Sequence, residues 1–132
     1  MAYAIAGTPH NALESIRGHG SRPAVDIEIR QAVVTGLACV LVEARLLPAL
    51  VPEGELPGAE VIMAQREAIR AIQGDILACL PGDHVSLVRR YETVPFLALV
   101  IDAHGLKALE RLGDIVARVL SDRATAASAL SV

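Results

Sequence analysis

Four histidines, two cysteines and the run Gly18-His19-Gly20-Ser21 are the parts of this sequence best equipped for chemistry. A Ser/His/Asp protease needs its nucleophile beside a base, with an oriented acid and an oxyanion hole. His19 and Ser21 in a glycine-rich stretch supply none of that arrangement and read as a flexible loop. His10, His19, His84 and His104 match no local metal motif such as HxxxH, so they read as surface or turn residues. His104, just before Gly105, falls at a helix start. Cys39 and Cys79 are too few for a disulfide framework and too far apart for a CxxC site. Both sit inside apolar segments, which favours buried free thiols over a single disulfide. The expectation is a chain with no catalytic, cofactor-binding or metal-ligating set, and hence not an enzyme.

The composition must then supply a scaffold for binding. It is 53% hydrophobic and 20% charged, in the globular range. Tyr3, Tyr91 and Phe96 are the only aromatics, so the core is expected to be aliphatic. The net charge is −3, and Arg89-Arg90 is the longest cationic run. No aromatic platform accompanies that run as a single-strand binder would require, so nucleic acid is not an expected partner. The apolar stretches fall short of the roughly 18–20 residues that span a bilayer, and no membrane partner is expected. Met1 to Ala12 lacks the basic and apolar regions of a signal peptide.

Periodicity places the elements. Residues 1–32, with Gly7, Pro9, Gly18, Gly20 and Pro23, read as a flexible leader. Within it the alternation of Val25, Ile27 and Ile29 with Asp26, Glu28 and Arg30 allows an extra edge strand. Val33 to Leu47 reads as a strand, with Val40, Val42, Ala44 and Leu46 on one face. After a Pro/Gly-rich break, Ile62, Ile69, Ile72, Ile76 and Leu80 form one stripe of a helix over Ala59 to Leu80. Pro81-Gly82-Asp83 ends it. His84 to Glu92 and Phe96 to Asp102 read as an antiparallel hairpin. Ala103 to Leu112 is expected to be a short helix, and Ile115 to Leu120 a last strand. Phe96 to Ile101 is apolar at every position, so either both its faces are covered or one is a docking surface.

That order, βαββαβ, predicts an α+β fold of ferredoxin-like type: a four-stranded antiparallel sheet with two helices on one face. The expected organisation is a leader at 1–32, a domain at 33–122 and a tail at 123–132.

The stretch Val88-Arg89-Arg90-Tyr91-Glu92-Thr93-Val94-Pro95, followed by Leu97-Ala98-Leu99-Val100-Ile101-Asp102-Ala103, resembles the N-terminal pro-domain of subtilisin-type proteases, the inhibitor I9 type. Gly105-Leu106, Leu109, Val116-Ala117-Arg118-Val119 and Asp122 continue the similarity. Upstream, Val40 to Leu46 is similar to the family's first strand, and Arg66, Ile69 and Gln73 match residues of its first helix. The resemblance covers roughly residues 38–122.

What the resemblance implies is a propeptide that inhibits a subtilisin-type serine protease and assists its folding, in a secreted or periplasmic setting. In that family the open sheet face packs on two protease helices, and the C-terminal tail lies in the active-site cleft. Carried over, this makes Tyr91, Phe96 and Leu99 candidate contacts of the sheet. Asp122 would cap the protease helices, whose N-termini carry unpaired N–H groups. Leu120 and Ser121 stand where the family commonly has acids, so the implied cap rests on Asp122. Ala129, Leu130, Ser131 and Val132 would lie in the cleft as an added strand. The alternative is a ferredoxin-like regulatory module that binds a small molecule at a dimer interface.

Overall fold

The computed structural model describes residues 22–123. The run Gly18 to Ser21, His10 and residues Ala124 to Val132 lie outside the described residues. In chain order the elements are β1 (Ala24–Val25), α1 (Ile27–Thr35), β2 (Ala38–Ala44), α2 (Ala59–Ala78), β3 (Val85–Arg90), β4 (Phe96–Ile101), α3 (Ala103–Glu110) and β5 (Val116–Ser121). A single 3-10 turn, Glu53–Glu55, lies between β2 and α2.

The fold is α+β. One open sheet has the order β1-β5-β2-β4-β3, with every pair antiparallel except β1 with β5. The sheet is therefore five-stranded and mixed, and not the four-stranded antiparallel sheet that the pattern suggests. Strand alternation turns Val40, Val42, Leu97, Leu99, Ile101 and Val119 to one face, where they join Ile76 of α2 and Leu106 and Leu109 of α3 in a single aliphatic core.

The largest departure from the sequence reading lies before residue 38. Only Ala24 and Val25 of the alternating stretch pair as a strand. Ile27–Thr35 is a helix whose Ile29 and Val33 are buried in the core, and it packs on β2, β5 and α3. The expected strand from Val33 thus begins at Ala38, and three helices rather than two cover the face. The physical reason is coverage. At about 1.5 Å per residue, the eight residues of α3 span about 12 Å, while the six residues of β5 run about 20 Å. α1 fills the gap that so short a helix leaves.

Asp26 fixes this addition. Its N–H donates to Val119 O at 3.1 Å, and its carboxylate accepts from Ser121 N–H at 2.9 Å. The carboxylate is therefore used on β5 and makes no side-chain cap of α1. Arg30 of α1 pairs with Glu110 of α3 at 2.6 Å. On the other side, α2 is held by Ile69, Ile76 and the buried Gln73. A two-pronged pair from Arg66 to Glu53, both contacts at 2.7 Å, ties α2 to the 3-10 turn.

Candidate functional site

All three helices lie on one face, and among the described residues no layer covers the other face of the sheet. Register defines its rows. Leu120, Leu41, Ala98 and Arg89 lie side by side across β5, β2, β4 and β3. Cys39, Val100 and Ser86 form the row on one side, and Arg118, Glu43 and Phe96 the row on the other. Leu41, Phe96, Val100 and Leu120 are half-buried, and the small Ala98 between the larger side chains is buried. The middle of the face is apolar, and its rim is charged. Arg118 pairs with Glu43 at 2.5 Å at one end.

The aromatic pair completes one corner. Tyr91 meets Phe96 edge-on with ring centroids 6.4 Å apart, and the Arg89 guanidinium lies 4.7 Å above the Tyr91 ring. Arg90 points the opposite way, to the helix side, where it donates to Gln73 and to Arg70 O. Arg89 and Tyr91 thus lie on the open side of the sheet and Arg90 on the helix side. The hairpin end is held from behind by Gln73, whose Nε2 donates to Tyr91 O at 2.8 Å and to Phe96 O at 2.9 Å.

Of the residues singled out from the sequence, the structure brings Tyr91 and Phe96 together on the open face. Asp122 follows β5 beside Cys39, with its N–H donating to Cys39 O at 2.9 Å. Burial, and secondarily the Asp122 carboxylate, push the Cys39 thiol above its ordinary pKa. Leu99 does not belong to this face. It is 0% exposed and packs under the helices, while Ala98 and Val100 hold the outward positions. With six consecutive apolar residues, the phase of β4 has no sequence mark, and only the pairing of Leu99 with the buried Val40 sets it. Ala129, Leu130, Ser131 and Val132 lie outside the described residues.

Both cysteines are free. Cys39 is half-buried, but Cys79 is exposed, contrary to its apolar context, because it caps the C-terminal end of α2 where the helix leaves the core.

A second cluster was not legible in sequence spacing. His84 precedes β3, Asp102 is the N-cap of α3 and His104 lies in its first turn. The antiparallel β3–β4 hairpin brings them together. Asp102 N–H donates to His84 O at 3.3 Å, and His84 Nδ1 and Asp102 Oδ2 are 2.6 Å apart. The other oxygen, Oδ1, accepts from Gly105 N–H at 2.9 Å. The His84 contact first, and the Gly105 N–H second, hold the Asp102 carboxyl below the usual carboxylate range. Gly105 is required by close approach, since a Cβ there would lie 2.6 Å from His84 O.

No protein-family model, curated protein or solved structure matches this chain. Among the described residues, no helix is long and apolar enough to cross a membrane.

Proposed function

We propose that this chain is a docking and inhibitory module of the subtilisin pro-domain type, which applies its open sheet face to a subtilisin-type serine protease. The observation that supports the reading is the face that no other described residues cover: an apolar centre of Leu41, Ala98, Val100 and Leu120, an aromatic corner of Tyr91 and Phe96, and a charged rim. Apolar surface arranged this way is what a partner buries. The finer fold reading belongs with it. Ala38 to Ser121 runs βαββαβ in the order β5-β2-β4-β3, a ferredoxin-like unit to which β1 and α1 are added. Asp122 follows β5 at the edge of the face, where a carboxylate can satisfy helix N–H groups of a partner. Ala129 to Val132 take the cleft-binding role on the strength of the sequence resemblance. Binding the folded form alone would stabilise it, and the protease reciprocally.

The test is inhibition of a panel of subtilisin-type proteases by the intact chain. Val100→Glu places a charge on the open face, and is expected to abolish inhibition with an unchanged melting temperature. Asp122→Ala is expected to cost about 0.5–2 kcal/mol of binding, by analogy with caps within a chain. If the intact chain inhibits none of the panel and accelerates the refolding of none, the reading is wrong. Dimerisation through the same face would then favour the small-molecule regulatory module.

A further inference from the structure

We infer that His84, Asp102 and His104 form a binding site for a divalent transition metal of borderline softness, such as zinc. The site does not depend on the protease reading, since it lies at the β3–α3 junction and uses no residue of the open face.

Three observations carry it. The first is convergence: one donor atom from each side chain lies within 4.8 Å of the others, and the two imidazole rings are 4.6 Å apart between centroids. A tetrahedral ion with bonds of about 2.0–2.1 Å needs its donors about 3.3 Å apart. Reaching that range takes side-chain rotations that open the 2.6 Å His84–Asp102 contact and draw together any pair that stands nearer the 4.8 Å limit.

The second is support. Asp102 is held in place by the Gly105 N–H on the oxygen that faces away from His84, leaving Oδ2 as the ligand atom. His84 is fixed through its backbone carbonyl, against which Gly105 packs too closely for any side chain. Such outer contacts orient metal ligands.

The third is access. A cleft of about 490 Å³ opens beside His84 and His104, bordered by Cys79, Leu80, Lys107 and Arg111. Water or an external ligand can take the fourth position from that side. Two imidazoles and one carboxylate suit zinc, copper or nickel rather than calcium or magnesium, which take oxygen donors. Lys107 and Arg111 on the cleft oppose a cation, so micromolar affinity is expected rather than the tight binding of a closed four-ligand site.

The bound ion would sit between His84 Nδ1 and Asp102 Oδ2 in place of their direct contact, held by the Nδ1 lone pair of the Nε2–H tautomer of the neutral imidazole. It would lock the start of β3 to the start of α3.

The experiment uses the full chain, with zinc chloride as the stabilising probe and cobalt(II) as the spectroscopic one. Zinc is expected to raise the melting temperature at one ion per chain, and cobalt(II) to give the visible bands of a tetrahedral site. His104 is exposed, so His104→Gln should fold normally, yet lose zinc affinity by about tenfold or more together with the cobalt bands. The double variant His10→Gln/His19→Gln should keep both signals. The inference is overturned if the intact chain gives neither signal. It is equally overturned if His104→Gln binds like the parent, or if the signals vanish with His10 and His19.

Discussion

Replacing Gln73 by leucine should loosen the corner of the open face from behind. Gln73 is only 2% exposed, and its amide nitrogen donates to Tyr91 O and Phe96 O, the two ends of the β3–β4 turn. Leucine keeps the bulk and removes both donors. Phe96 O still accepts from Tyr91 N–H at 3.2 Å, so there the loss is one hydrogen bond, about 0.5–1.5 kcal/mol. Tyr91 O, accepting from the buried Gln73 amide, loses that donor, at about 1–3 kcal/mol if no water replaces it. Arg90 keeps its contact to Arg70 O at 3.0 Å and softens the change little. The sum, about 1.5–4.5 kcal/mol, corresponds to a fall in melting temperature of roughly 6–22 °C for a domain of this size. Calorimetry or urea unfolding reads it directly, with the urea slope unchanged if only stability moves. Gln73→Glu should be worse near neutral pH, because a carboxylate would face two carbonyl oxygens. A loss below about 0.5 kcal/mol, the range of ordinary surface changes, would refute the claim that this amide holds the hairpin.

Gly105→Ala should destabilise by about 1–3 kcal/mol through the clash with His84 O, whereas Gly74→Ala, in open space within α2, should stabilise by about 0.5–1 kcal/mol. Thermal melts of the pair distinguish the two. Ile29→Ala should cost about 2–5 kcal/mol because Ile29 is a core residue, and a truncation that removes α1 should not fold stably. Urea titration of the alanine variant measures this, and a neutral result would return residues 24–35 to the status of a leader. The folded-state pKa of Asp102 is depressed, so its contribution is present above its unfolded value of about 3.9 and is lost as pH falls through the lower folded value. Melting temperature should therefore drop on acidification through that window, and Asp102→Asn should flatten part of the drop.

The elements with a sustained period were legible in the sequence. The stripe Ile69, Ile72, Ile76 and Leu80 placed α2, and turn residues at both ends of the hairpin placed β3 and β4. α1 was hidden because Ile29 and Val33 are its only buried positions, and its β-branched residues fit a strand equally well. What decides for helix is the exposed stretch of core beside α3, a tertiary fact absent from any local window. β1 is two residues long and pairs in parallel with the last strand, so no hairpin signal could reveal it. The same limit applies to the two sites. Tyr91 and Phe96 were each named through the family resemblance, but their edge-on contact and the outward phase of β4 were not legible. His84 and His104 are separated by a whole hairpin strand pair, and a search for local spacing misses ligands that a hairpin brings together.

The central claim is that the open sheet face, and not the helical side, meets a subtilisin-type protease. Methyl NMR of the isotopically labelled chain, titrated with an active-site-blocked protease of that class, tests it residue by residue. The account predicts shifts and broadening at Leu41, Val100 and Leu120, which share the open face. Little change is predicted at Val34, Leu47 and Met63, which are exposed elsewhere. No perturbation across the panel of proteases, or one centred on Val34, Leu47 and Met63, would contradict it.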